Sequence, residues 1–442
     1  MSIQPYAKTS FTLYVMMFIT LCLVAGTVMY LAHPLDTGKN IRILNGPWKF
    51  IAGDSMQYAR PGYDDSGWET MDLSAPPGAH DDDVGLSGYI PGWTAKGHPD
   101  YSGYAWYRLK IPLDSITRST LALAAPPAVD DTYQLFINGS LSGNAGNFSG
   151  AVPIAYSIQP RIFLLSENVK KDKRITIAFR VWMSSASLYQ GSGGIHIAPA
   201  LGEKTEIEKI YRFQWGQTIK GYIVEVVLPM MFILLATTMF LLNRSRKQTQ
   251  SCKWFITALV LVGLMRLNQV VYFWFQLESS HQSAIGPVIL KPLVLGSWLM
   301  AWREWFDLHQ PKWLPKIIAV LTLLYVTSQW LGLPWVSNVI HTHFLTIADY
   351  VRLLLLALML FTMYQGIRKQ GIKDLLVLLA MLLVTIALYP KEVSALNVIP
   401  GIWFPYGVGV SRAQYFYAVF VFVMYLVLIQ KNRKLSTGGR LL

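Results

Sequence analysis

Charge is scarce in this 442-residue chain. Asp, Glu, Lys and Arg together make up 14% of it, against roughly 25% in a soluble globular protein, which argues against a purely cytosolic enzyme. Cysteine is scarcer still. Cys22 and Cys252 are the only two, and neither lies in the polar stretch 33–218, so no disulfide framework or cysteine-built metal site fits there. The "ITLC" run ending at Cys22 is a poor lipoprotein box. No phosphate-loop, dinucleotide, zinc-protease or serine-hydrolase signature occurs, and no cofactor is expected.

What the chain has in place of charge is apolar length, and its remaining charge is unevenly spread. Residues 33–218 carry 17 basic and 18 acidic side chains, whereas residues 219–442 carry 20 and 7. The basicity therefore belongs to the apolar half, where it fixes membrane orientation and speaks against nucleic acid as a partner. Residues 1–10 are a short polar start. Phe11–Ala32 is then 22 residues without a charge, long enough to span a bilayer and longer than a signal-peptide core. We read it as a retained transmembrane helix or signal anchor.

Seven further spans follow, at 219–243, 254–275, 285–302, 316–333, 344–366, 374–390 and 412–430. The loops 244–253, 303–316 and 367–373, with the basic tail 431–442, hold 14 Lys and Arg residues, whereas the alternate loops hold Lys391 and Arg412. This positive-inside asymmetry places residues 33–218 outside a bacterial inner membrane and both termini in the cytosol. Pro229, Pro287 and Pro292 are expected to kink or start helices. Trp298, Trp302, Trp305 and Trp313 read as an interfacial aromatic belt.

The exported segment 40–205 reads as β. Tyr133, Leu135 and Ile137 alternate with Gln134, Phe136 and Asn138, and Asn138-Gly139 supplies a tight hairpin turn. Ala105–Ile111 and Ile175–Val181 repeat the pattern. The expected fold class is therefore mixed: an all-β jelly roll or β-sandwich, plus a membrane bundle of one N-terminal and seven C-terminal helices.

Several runs in that segment resemble the sugar-binding-like jelly roll of family-2 glycosidases. They are Leu44–Phe50, Asp64–Trp68, Tyr104–Arg108, Leu135–Gly139 and Gly191–Ile195, in that order. An exported jelly roll followed by seven spans (219–430) also resembles the bacterial seven-transmembrane receptors with diverse intracellular signalling modules. Trp298–Pro315 is similar to a segment of such receptors fused to serine phosphatases. The resemblance implies a sensory receptor for a carbohydrate or small metabolite. With 12 residues after residue 430, its output would pass to a separate cytosolic protein. The alternative is a non-signalling glycan-binding module or a subunit of a larger envelope complex.

Asp64-Asp65 and Asp81–Asp83 lie in turn-rich loops and read as solvated turn formers, so neither catalysis nor a metal site is expected. Tyr89, Trp93, His98, Asp100, Tyr101 and Tyr104 crowd one Gly- and Pro-rich loop, the expected ligand contact, with capping of the core as the alternative. Glu225, Arg266, Lys291, Asp349 and Arg352 are charges inside spans, where such residues face the bundle interior and pair. Asp349 and Arg352, at i and i+3, are expected to pair with each other. His341 and His343 lack a third metal ligand. A transporter would want broken helices and an internal repeat, and no obvious repeat is present.

Overall fold

A computed structural model describes residues 5–32, 41–82, 84–112, 120–166, 174–188, 190–243, 250–333, 335–337, 340–371, 375–395, 402–403 and 410–438. Asp83 and part of the 391–412 loop lie outside the described residues.

Helix α1 (Pro5–Ala32) precedes a two-sheet β-sandwich. Its strands are β1 (Arg42–Ile43), β2 (Trp48–Ala52), β3 (Glu69–Met71), β4 (Gly103–Pro112), β5 (Leu121–Ala124), β6 (Val129–Asp130), β7 (Thr132–Ile137), β8 (Ser140–Asn144), β9 (Ile162–Leu164), β10 (Arg174–Met183), β11 (Gly194–Ile195) and β12 (Ala200–Glu203). One sheet runs β3-β2-β4-β10-β7-β8, the other β1-β12-β5-β9, and β6 and β11 form a short separate ladder. The spine is β4 against β10, antiparallel from Gly103↔Met183 to Pro112↔Arg174. Trp48, Phe50, Tyr107, Tyr133 and Phe179 of the larger sheet meet Leu123 and Leu201 of the smaller one in a shared core. At the β7–β8 hairpin, Asn138 (φ 47°) and Gly139 (φ 84°) take the positive φ values of a two-residue turn.

Alternation along β7 does not separate a wet face from a dry one, because all six of its residues are buried. The segment 53–68 folds over the outer face of the larger sheet. There Trp68 and Ala59 join Trp106, Phe136 and Ala178 in a second apolar cluster. Asp65 anchors this flap. Its carboxylate lies 3.0 Å from Nε of the buried Arg108 and 2.9 Å from Nζ of Lys110. Burial raises the Asp65 pKa, but these two cations outweigh that and hold it below the ordinary carboxylate value. Asp65 is thus an ion-pair partner and not a solvated turn former. Asp64, which accepts a hydrogen bond from the Ser66 amide at 3.0 Å, is the turn residue.

The bundle comprises α2 (Lys204–Asn243), α3 (Gln250–Trp274), α4 (Ser279–Ser283), a π-helical stretch (Ala284–Leu290), α5 (Lys291–Trp305), α6 (Leu314–Leu331), α7 (His341–Gln370), α8 (Leu375–Leu388), α9 (Pro390–Ala395) and α10 (Arg412–Gly438). A two-strand ladder pairs β13 (Ile402–Trp403) with β14 (Val410–Ser411). Pro287 falls in the π-helical stretch, and Pro292 starts α5. Among the described residues, seven helical segments are long and apolar enough to cross a membrane, and the chain is a multi-pass membrane protein.

The expected span 374–390 is α8, a 14-residue helix. At 1.5 Å per residue that is about 21 Å, short of a ~30 Å hydrocarbon core. Helix α1 lies in the bundle. Ser10 accepts a hydrogen bond from Asn432 at 3.1 Å, and Lys220 Nζ donates to the Leu31 carbonyl at 3.3 Å. The expected tryptophan belt divides. Trp298 and Trp302 are wholly buried, with Phe255 edge-on to both, whereas Trp313 is exposed. Helix α5 is buried on most of its surface, so Trp298 and Trp302 are core residues and Trp305 is half-buried at its end.

The sandwich sits directly on the bundle. Val84, Leu86 and Ile197 pack with Tyr222 of α2 and Val270 of α3. The loop at 155–157 pairs with the α3–α4 turn through Ser157 N to Leu277 O (3.1 Å) and Ser279 N to Ala155 O (3.0 Å).

Removing Asp65 strands a buried guanidinium, so Asp65→Ala should lower the stability of the sandwich by about 3 kcal/mol or more. Asp64→Ala, at an exposed turn, should cost under ~1 kcal/mol. Thermal melting of the two variants, followed by circular dichroism in the β region, separates the two effects.

Candidate functional site

The short ladder β6–β11 sets Asp130 opposite Gly194, which brings His196 beside it. His196 Nε2 lies 2.9 Å from Asp130 Oδ2, and its Nδ1 lies 2.9 Å from the Ile90 carbonyl oxygen. Both ring nitrogens therefore face acceptors. Tyr89 stacks on the imidazole at 4.9 Å with 5° between the planes. Burial pulls Asp130 upward, but His196 and the Gly193 amide outweigh it and hold its carboxyl below the ordinary range. Asp131 behaves oppositely. Burial pushes it up to about 6, only partly offset by its hydrogen bonds from the Ser184 amide (2.8 Å) and the Ser187 side chain.

These residues line a cavity of about 340 Å³ between the sandwich and the bundle. The bundle side of its wall comes from Thr218 and Tyr222 of α2, Tyr272 and Phe273 of α3, and Ser279 of α4. Tyr222 and Phe273 stack at 4.2 Å, and Tyr272 Oη is 2.7 Å from Ser279 Oγ. Among the described lining residues are three carboxylates (Asp81, Asp130 and Asp131) and five Tyr or Phe rings, and no Lys or Arg. Aromatic faces with carboxylates, of which Asp130 has an imidazole partner, suit a small organic cation.

In the crowded loop 89–104, Trp93, His98, Tyr101 and Tyr104 lie together, with the Tyr101 ring 5.9 Å from Trp93 and 6.4 Å from His98. Trp93 is wholly buried, and its Nε1 donates to the Tyr101 carbonyl at 3.0 Å. Tyr101 packs on Trp93 and donates to the Tyr104 carbonyl. His98 pairs with Glu69 at 3.0 Å. Tyr104 lies under the Arg180 guanidinium at 4.0 Å, and Asp100 is exposed. Only Tyr89 reaches the junction cavity. Tyr89 and Asp100 stand apart from the other four, Tyr89 at the junction and Asp100 at the surface.

The intramembrane charges form two groups. In the first, Arg266 Nη1 lies 3.2 Å from Glu225 Oε1, Gln414 of α10 donates to the same carboxylate, and the Arg266 guanidinium lies 5.2 Å from the centre of the Tyr417 ring. In the second, Asp349 and Arg352 do not pair with each other. Arg352, 4% exposed, meets Glu392 of α9 at 2.9 Å, and Asp349 meets Lys391 at 3.0 Å near the surface. A buried guanidinium takes the carboxylate enclosed with it, and sequence spacing cannot say which one that is. Lys291 has Arg352, Glu392, Asp349 and Lys391 as its electrostatic neighbours.

Sequence reasoning did not single out Asp130, Asp131, His196, Glu392, Gln414 or Tyr417. The available signal was two adjacent acids and a histidine set within apolar strand runs. No group of three metal-ligating side chains occurs among the described residues, His341 and His343 included.

No family model matches the chain, and no curated protein matches it. Among solved structures it is similar in part to a β-glucuronidase of Bacteroides uniformis, at 22% identity over 37% of this chain and 17% of that one, with TM-score 0.26. A glycosyl hydrolase family 2 member from Bacteroides cellulosilyticus gives 19% identity over 37% of this chain and 20% of that one, with TM-score 0.26. A β-glycosidase from Bacteroides vulgatus gives 19%, 37%, 20% and 0.25 in the same order. The chain spans a fifth or less of the length of these enzymes. These figures carry no argument about its activity.

Two outcomes are expected. A double-mutant cycle on Arg352→Met and Glu392→Gln should show a coupling of about 1–3 kcal/mol in detergent thermal melts, whereas Arg352→Met with Asp349→Asn should be near additive. Asp131 keeps its proton in the folded state at pH values where the unfolded chain, at 3.8, has released it. Its contribution to stability is thus complete below about pH 4 and is lost as pH rises to about 6, at most ~3 kcal/mol. Asp131→Asn should remove that slope and gain on the wild type above pH 6.

Proposed function

We propose that this chain is a membrane sensor. Its sandwich faces the extracytoplasmic side of a bacterial inner membrane, and a small organic cation held at the junction repositions the helices below. The observation that carries this reading is the cavity wall, shared between the sandwich and helices α2, α3 and α4. A ligand touching both parts has a different binding free energy whenever their relative position changes, which is the condition for a population shift. Output passes at the cytosolic ends to a separate polypeptide. Of the two ligand classes expected, carbohydrate and small metabolite, the lining favours the second, because its carboxylates and ring faces match a positive charge better than a neutral polyol.

Choline and its neutral isostere 3,3-dimethyl-1-butanol test the reading on the full chain in nanodiscs. Choline should bind at least about tenfold more tightly, since one cation–π and carboxylate contact set is worth ~1.4 kcal/mol or more. Asp130→Asn combined with Asp131→Asn should abolish the difference. Choline should also slow hydrogen exchange in α2 and α3. Equal affinity for the two compounds, or binding confined to the sandwich with no change in the helices, would sink the proposal.

A further inference from the structure

A second cavity lies beside the first and has the opposite chemistry. It encloses about 420 Å³ between the loop 73–79, the sandwich base and the extramembrane part of α2. Its wall is built from apolar side chains such as Ile43, Leu73, Ile197, Ile210 and Phe213, and none of the described lining residues is ionisable. It shares Leu86 and Pro127 with the carboxylate-lined cavity. A charged occupant would find no counter-charge here, and burying an unpaired charge is costly.

One polar group breaks the apolar lining without a partner. Gln214 lines the cavity and is 8% exposed, and its Oε1 is buried with no hydrogen-bond donor. Ile210, Phe213 and Gln214 sit at i, i+3 and i+4 of α2 and so share one helical face. The other lining amide is accounted for, since Asn45 Nδ2 donates to Ser74 Oγ at 3.0 Å. A buried carbonyl oxygen without a donor costs about 1–3 kcal/mol. A native protein retains that cost where something supplies the missing donor.

We propose that this cavity binds an uncharged, mainly apolar molecule carrying a single hydrogen-bond donor, a hydroxyl above all. The Gln214 carboxamide, whose Oε1 is sealed from the cavity, turns to accept from it while the molecule's body fills the space between Leu73, Ile197 and Phe213. The volume lies within the usual 300–1,000 Å³ range of small-molecule sites. The site is separate from the choline site and does not depend on it. The same chemistry could arrive from the water phase as a small alcohol or from the bilayer as a lipid bearing one free hydroxyl.

Photolabelling of the full chain in nanodiscs tests the proposal. The probes are a diazirine-bearing benzyl alcohol, its methyl ether, which cannot donate, and a diacylglycerol carrying a diazirine on one acyl chain. The alcohol should label peptides containing residues 73–79, 197–200 and 210–214 at least about fivefold more than the ether, as one net hydrogen bond allows. Excess unlabelled benzyl alcohol should compete with it in the wild-type chain, a measurement that needs no variant.

Gln214→Met keeps the volume and removes the acceptor, so labelling should persist without preference for the alcohol. Ala198→Phe fills the space and should remove labelling by both small probes, while choline binding is unchanged. Labelling of the same peptides by the diacylglycerol assigns the bilayer as the source, and labelling by the benzyl alcohol alone assigns the water phase. Equal labelling of the wild type by alcohol and ether, or labelling confined to lipid-facing helix surfaces, overturns the proposal.

Discussion

Strand β12 ends at Glu203 and α2 begins at Lys204, with no residue between them. The rest of the molecule depends on that continuity. A 40-residue helix is about 60 Å long, and its first turns are pinned to the smaller sheet through Ile207, which packs on Ala122, Ala124 and Ala200. The sandwich therefore cannot tilt without carrying α2 with it. The features argued to matter lie along this helix at spacings of four, four and three. Gln214 lines the apolar cavity, Thr218 and Tyr222 line the acidic one, and Glu225 pairs with Arg266 inside the bundle. All four are at least nine-tenths buried, so one face of α2 runs past both cavities to the Glu225–Arg266 ion pair.

The second constraint is electrostatic. A charge among apolar helices has no water to fall back on, and such residues are held in place by partners. Glu225 is held by α3 and α10 together, through Arg266 and Gln414. Arg352 of α7 is held by the short helix after α8, through Glu392. These contacts link helices far apart in sequence. A rotation of α2 would change the geometry at Arg266 and Gln414, because hydrogen bonds to the Glu225 carboxylate depend on direction as well as distance.

The junction shows how the same economy works outside the membrane. Its carboxylates are only partly compensated. Asp130 has His196, whereas burial pushes Asp131 up to about 6 against backbone and hydroxyl donors alone. The neighbouring apolar cavity has the reverse imbalance, one acceptor without a donor. Two adjoining spaces that share Leu86 and Pro127 thus select for opposite ligand character, and each has α2 in its wall.

Much of this was legible in the amino-acid order. Residues of period two marked β4, β7 and β10, Asn138-Gly139 marked its hairpin, and uncharged runs marked the membrane helices, because those signals are local and follow from backbone geometry and burial. The six aromatic and polar residues of loop 89–104 looked like one site, yet Tyr89 went to the junction and Asp100 to the surface. Trp298 and Trp302 looked interfacial and proved central. Asp349 and Arg352 shared a helical face but turned to Lys391 and Glu392. Local order determines which stretches form strands and which form membrane helices, since each residue's own polarity and its near neighbours decide that. Which carboxylate meets which guanidinium, and where cavities open, was decided only by tertiary packing, because those contacts join segments tens to hundreds of residues apart and burial chooses among partners that look equivalent along the chain.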